Sequence, residues 1–210
     1  MKTFNIFLMA VLLSTFCAPV FAQNDLTEED KVELQDRVKI KVEEFQNYLS
    51  DIVNTDLTDT QRKNSITSAL ALFIGKGEAY SVKNEYDETE KHSPVRIQIS
   101  SINNASIRWL AMKKYLNNQY NNVHKYGKVE LQSADIVRVD NIYKVGKGQY
   151  QAVAYFCQKY VAYREGRRVY GPDITGKKVI VYVSAIETPV GIVWDAKLGD
   201  VYVTSTKLED

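Results

Sequence analysis

The chain has 210 residues, 45% of them hydrophobic, with 27 basic against 26 acidic side chains. A near-neutral chain has no global field with which to hold nucleic acid or an anionic membrane surface, so neither is expected as a partner. Two cysteines and two histidines offer little material for a disulfide framework or a metal centre.

In chain order, Met1-Lys2-Thr3 precedes an apolar run from Phe4 to Phe16 that closes in Ala18-Pro19-Val20-Phe21-Ala22. One positive charge, an apolar stretch of about a dozen residues and small residues at the cut predict a cleavable signal peptide over residues 1–22, too short to span a bilayer of ~30 Å. Val20 and Ala22 fit the −3 and −1 positions, which places cleavage between Ala22 and Gln23. The rival reading is a lipid anchor on Cys17, and bulky Phe16 stands where that processing wants Gly, Ala or Ser. Residues 23–210 then suit one domain with a sizeable core, secreted to the periplasm or cell surface and without a transmembrane segment. The leader takes away one lysine and no acid, so 26 basic residues face 26 acidic ones in the mature chain. Cys157 is left without a partner, and its neighbours Tyr155, Phe156 and Gln158 include nothing that would activate a thiol. It reads as a small apolar filler inside a strand.

Thr27-Glu28-Glu29-Asp30 opens a helix, with a capping threonine and acids in the first turn. Leu34, Val38, Val42, Phe45, Leu49 and Ile52 recur at three- and four-residue steps on its apolar face. Thr58-Asp59-Thr60-Gln61 is a capping box for a second helix that turns Ile66, Leu70 and Phe73 inward and meets Gly75. A short strand follows over 79–84, then a charged loop from Glu85 to His92. Val95, Ile97 and Ile99 alternate with polar residues as in a strand with one wet face. A third helix is expected from Ser106 to Gln119, with Ile107, Leu110, Ala111 and Tyr115 buried and the run Asn117 to Asn122 ending it. Strands are expected at 128–143, 149–164, 168–184, 191–196 and 199–207, separated by Gly146-Lys147-Gly148, Glu165-Gly166, Pro189 with Gly191, and Leu198-Gly199-Asp200. Tyr150 to Tyr163 is apolar or aromatic at both parities, so that strand needs cover on both faces for part of its length. Helices first and then a strand meander define an α+β fold, with N-terminal helices packed on a strongly curved antiparallel sheet.

Within this order stand Val95-Arg96-Ile97-Gln98-Ile99-Ser100-Ser101, Tyr126-Gly127-Lys128-Val129-Glu130, Gly148-Gln149-Tyr150-Gln151-Ala152, Gln158-Lys159-Tyr160, Asp173-Ile174-Thr175-Gly176-Lys177-Lys178-Val179 and Leu198-Gly199-Asp200-Val201-Tyr202-Val203. With these segments the chain resembles the nuclear-transport-factor-two-like cone, grouped with cystatin-like folds, and more narrowly the secreted, uncharacterised cone proteins of the Bacteroidota. The resemblance implies a cone enclosed by the sheet and the first helices, which some families use to bind small molecules and a few to catalyse dehydration or isomerisation through an internal carboxylate. No catalytic residue carries over to this chain, because nothing around Asp135, Asp140 or Asp173 matches such a motif.

His92 in the charged loop and His124 just beyond the third helix lack a partner at metal spacing, so no metal or other cofactor is expected. Gly-x-Ser-x-Gly and phosphate-cradling loops are absent. Gly146-Lys147-Gly148 reads as a hairpin turn, and Asn104-Ala105-Ser106 as the start of the third helix more than a glycosylation acceptor. The most distinctive segment sets Tyr160, Tyr163 and Tyr170 around Arg164, Arg167 and Arg168. Guanidinium forks with aromatic faces can grip carboxylates, phosphates or sugars, although arginines at a hairpin tip also keep a sheet edge soluble. The sequence therefore points to an exported, non-enzymatic binding or accessory module of the cell envelope, whose partner is an envelope protein, an anionic glycan or a small ligand. The alternative is a small cone enzyme of the dehydratase or isomerase type with a buried carboxylate as base.

Overall fold

α1 (Glu28–Val53) begins where Thr27 and Asp30 each accept the other's backbone N–H through their side chains. The expected stripe from Leu34 to Ile52 is buried. α2 (Asp59–Ala71) starts at the same device, built from Thr58 and Gln61, and runs into a 3-10 turn over Ile74–Gly77 in which Gly75 takes φ 71°. Buried Arg62 ties the helices together, donating to the carbonyl oxygens of Ile52 (2.8 Å) and Tyr120 (3.1 Å). This computed structural model describes residues 25–209 apart from positions 85, 87, 147 and 190. The expected leader, with Cys17, Ala22 and Gln23, lies outside the described residues, as does Lys147 of the glycine-flanked turn.

β1 (Tyr80–Lys83) and β2 (Thr89–His92) form a separate antiparallel pair. β3 (Arg96–Ser101), β4 (Asn104–Ala111), α3 (Met112–Tyr126), β5 (Lys128–Ser133), β6 (Arg138–Val139), β7 (Tyr143–Gly146), β8 (Gln149–Arg164), β9 (Arg167–Thr188) and β10 (Gly191–Leu208) complete the chain. The large sheet runs β4-β3-β10-β9-β8-β5, with β6 and β7 also paired to β8. It is curved and mostly antiparallel, and mixed because β10 meets β3 in parallel, at Val201 and Ile97. α1 packs on β5, β8 and β10, and α3 on β4, β5 and β8 beside α1 and α2. The expected α+β class with N-terminal helices on a curved sheet is observed.

Several boundaries differ from expectation. Residues 104–111 are strand β4, and the third helix starts only at Met112. Ile107, Leu110 and Ala111 have helical spacing, but Ile107, Trp109 and Ala111 also alternate with Ser106, Arg108 and Leu110, and the short turn from β3 lets that period pair as a hairpin. Ile107 is exposed on the outer edge instead of buried. The asparagine run 117–122 lies inside α3, which continues to Tyr126 and stops at Gly127, φ 87°. His124 is therefore an exposed helical residue. His92, expected in a loop, sits on β2 and stacks on Tyr80 at 5.1 Å. Leu198-Gly199-Asp200 is a bulge within one continuous strand, not a turn. Gly199 is needed there because a Cβ would come within 2.6 Å of the Tyr182 ring. The expected strand 128–143 is broken into β5 and β6, with β7 following, all three on β8. β8 itself spans 149–164 as expected, and β9 turns back at Glu165 and Gly166, both at positive φ.

A polar cavity under the third helix

Along β8 the even-numbered side chains face the helices, and the chemistry of that face changes partway. Ala152 pairs with Val181 and Ala154 with Val179, while Phe156 meets Phe45 of α1 edge to face at 6.2 Å. Further on, the cross-strand pairs become Phe156 with Lys177, Gln158 with Thr175, and Tyr160 with Asp173. The apolar half is sealed by α1, and the polar half lies beneath α3, where it lines an open cavity of about 530 Å³. Tyr115, Gln119 and Asn122 of α3 and Ile99 and Ser101 of β3 line the other side.

A bulge shapes this half. Tyr170 and Asp173 are three residues apart, which in a regular strand would send them to opposite faces. The pairing of β8 with β9 slips between Tyr160 and Ala162, opposite Gly171-Pro172, and both side chains end in the cavity. Gly171 has φ 78°, and a Cβ there would lie 2.2 Å from the Tyr160 carbonyl oxygen. The Tyr170 hydroxyl donates to Asp173 Oδ2 (2.8 Å), which also accepts the Ile102 N–H (3.0 Å) from the β3–β4 turn. Burial and the bond to Asp173 push the Tyr170 hydroxyl up to about 12. Tyr160 packs edge to face on Tyr170 at 5.5 Å and accepts a long bond from Asn122 Nδ2 (3.4 Å).

Two buried polar atoms of the lining have no hydrogen-bond partner among the described residues: Asp173 Oδ1, an acceptor, and Gln158 Nε2, a donor. Their residues are only 3% and 5% exposed. Lys177, 4% exposed, donates its amine to the Gln98 carbonyl oxygen at 2.9 Å. Burial without a counter-ion lowers its pKa to about 7. Arg108 and Lys125 stand exposed at the rim, so three basic residues and one acid, Asp173, line the cavity.

Of the six side chains singled out in the sequence, Tyr160 and Tyr170 are in this cavity and the other four are not. Tyr163 donates to Glu130 (3.3 Å) with Lys128 over its ring. Arg164 reaches the Lys125 carbonyl oxygen (3.4 Å) near the rim. Arg167 and Arg168 are exposed on the hairpin tip, opposite Arg164 and Tyr163. Sequence reading missed Asp173, Gln158 and Lys177. The available signal was parity: Asp173, Thr175 and Lys177 continue the alternation of Val179, Val181 and Val183, so they belong to the covered face. Cys157 is half-buried on β8, and burial raises its thiol pKa, consistent with a filler.

The fold and the cavity define an α+β protein whose curved sheet and third helix enclose a polar, tyrosine-bearing pocket. No protein-family model matches the chain, and no curated protein matches it either. A solved structure, the Kfla4162 protein from Kribbella flavida, aligns over 84% of this chain and 95% of its own, at 11% identity and a TM-score of 0.33. A likeness of that size carries no argument about fold or function. Among the described residues, no helix is long and apolar enough to cross a membrane.

Proposed function

We propose that this protein is an exported, non-enzymatic binding module whose cavity takes a small polyhydroxylated ligand of sugar size. The observation that carries the reading is the pair of buried, unpartnered groups, acceptor Asp173 Oδ1 and donor Gln158 Nε2, on one cavity wall. Buried polar groups are nearly always bonded, and leaving one unmade costs about 1–3 kcal/mol. A ligand hydroxyl can serve both roles. Tyr160 and Tyr170 supply apolar area with polar tips, which suits the alternating faces of a pyranose. The signal peptide expected over residues 1–22 supports export, and the resemblance to cone proteins supports a cavity as the place of binding. The basic rim at Arg108 and Lys125 favours ligands bearing an acid group. Titration calorimetry with neutral sugars and sugar acids tests the reading. Binding weakened by Gln158→Leu supports it; a panel with no binder counts against it.

A second reading is favoured by one observation, the carboxylate of Asp173 buried beside the Tyr170 hydroxyl. In a cone enzyme of the isomerase or dehydratase type it would act as the base. Turnover of a hydroxylated substrate by wild type, abolished in Asp173→Asn with binding retained, would replace the first reading by this one.

A further inference from the structure

We propose that the cavity holds its ligand covalently, the Lys177 amine condensing with the carbonyl group of a small hydroxylated aldehyde or ketone to form an imine. The inference rests on the reading of the cavity as a polyol-binding pocket and adds the reactive group of its ligand.

Lys177 lines the cavity and is 4% exposed. Its one described polar contact is with the Gln98 carbonyl oxygen, a neutral acceptor that supplies no counter-charge for an ammonium. No carboxylate of the described residues lies within ion-pair distance of it. The nearest acid along its own strand, Asp173, is four residues away, and its Oδ2 is bonded by Tyr170 and Ile102. The rim residues Arg108 and Lys125 are both basic, so they supply no counter-charge either. A lysine desolvated in this way is the form that attacks carbonyl carbon, because its lone pair is free at neutral pH. With a pKa of about 7, about half the Lys177 amines are neutral at pH 7, against on the order of one in a thousand for a surface lysine.

The step balances without a co-reactant. The nitrogen lone pair bonds to the carbonyl carbon and the carbonyl π pair moves to oxygen, which is protonated to give a carbinolamine. The nitrogen then forms a double bond to carbon as the hydroxyl departs, and the two amine protons leave with the carbonyl oxygen as one water. Gln158 Nε2 and Asp173 Oδ1, one and two same-face pairs along the sheet from Lys177, can hold the hydroxyls of the same ligand.

The test uses glycolaldehyde with sodium cyanoborohydride at pH 7, which reduces an imine to a stable secondary amine. Peptide mass spectrometry then reads the label at each lysine over time. Lys178, on the opposite face of the same strand, serves as the control within each molecule. Lys177 is expected to label at least ten-fold faster than Lys178, and the fast label is expected to vanish in Lys177→Arg while the other lysines label as before. A parallel thermal-shift titration with the non-carbonyl polyol threitol reports on the cavity alone. Labelling of Lys177 no faster than Lys178, in protein that threitol stabilises, overturns the imine and leaves the polyol pocket standing. Failure of both measurements overturns the two together.

Discussion

Lys177 on β9 reaches across β10 and donates its amine to the carbonyl oxygen of Gln98 on β3, 2.9 Å away. The Gln98 side chain in turn accepts the Val203 N–H (2.9 Å), and Asp200 accepts that of Arg96 (2.8 Å). Side chains thus suture the parallel seam between β3 and β10, and the lysine is a strut of the sheet as well as a wall of the cavity. Its burial has a pH signature. The folded-state pKa is lowered to about 7 from 10.5, so below pH 7 both folded and unfolded chains are protonated and the folded state carries the full cost of the buried ammonium. Between about 7 and 10.5 the unfolded chain binds more protons, and stability rises with pH. Lys177→Met is expected to flatten that rise in urea midpoints measured from pH 6.5 to 9.5. It is also expected to be more stable at pH 7, by on the order of 1–2 kcal/mol after allowing for the lost bond to Gln98. A wild-type midpoint that falls over this range would refute the uncompensated burial of Lys177.

Asp173 has one bonded oxygen and one free one, and the two can be separated by substitution. Asn keeps an acceptor for the Ile102 N–H and the Tyr170 hydroxyl and replaces Oδ1 by a donor. Asp173→Asn should therefore melt within a few degrees of wild type while losing ten-fold or more in affinity for a bound polyol, about 1.4 kcal/mol. Asp173→Ala leaves both donors unpaired and should cost about 1–3 kcal/mol in stability. Equal affinity in wild type and Asp173→Asn would mean that Oδ1 does not meet the ligand.

The parts of this fold that read directly from sequence are those with local causes. The boxes at Thr27 and Thr58 start their helices, and Glu165-Gly166 turns β8 into β9. Strand β4 escaped because Ile107, Leu110 and Ala111 satisfy two periods at once, and the choice between them is made by β3, a partner that the local pattern does not contain. Leu198-Gly199-Asp200 has the composition of a turn, yet its glycine serves the close approach of Tyr182 inside a strand. The site was half legible for the same reason. Tyr160 and Tyr170 announce themselves by composition. Lys177 and Asp173 share the parity of Val179, Val181 and Val183 but carry the charge of wet-face residues, and the register that sets them opposite Phe156 and Tyr160 decides for the covered face.

Gly171 is where the cavity's geometry can be broken without touching a lining side chain. A side chain there meets both a positive φ of 78° and the Tyr160 carbonyl oxygen, 2.2 Å from the new Cβ. A positive φ alone costs a non-glycine residue about 1–3 kcal/mol, and a backbone contact this short must also force β8 and β9 apart. Gly171→Ala is expected to lower stability by at least that amount and to weaken ligand binding more than Tyr170→Phe does, since it displaces the whole ring. Gly166→Ala, which also has a positive φ but nothing within 4 Å of its Cβ, is the matched control and should lose less. Similar losses in the two would mean that the bulge relaxes around the new methyl.

Arg164, Arg167 and Arg168 crowd the tip of the β8–β9 hairpin, with Arg164 directly opposite Arg167. All three are exposed, and Arg164 is further anchored on the Lys125 carbonyl oxygen. Like charges on facing strands repel, weakly in water and less at physiological salt, where screening acts within ~8 Å. Removing Arg167 and Arg168 together as alanines should therefore leave the melting temperature within a degree or two or raise it slightly. Arg164 touches the cavity lining at the Lys125 carbonyl oxygen and over the Tyr126 ring, but Arg167 and Arg168 do not line the cavity, so polyol affinity in the double variant should match wild type. An acidic glycan or acidic envelope partner held by the tip would instead lose affinity, most at low salt, because the arginines supply charge that an anion relieves. Capture on an acidic glycan array at two salt concentrations, run beside the polyol titration, separates the surfaces. Equal capture by wild type and double variant would assign the arginines to solubility alone, and a large drop in melting temperature would place them in ion pairs within the fold.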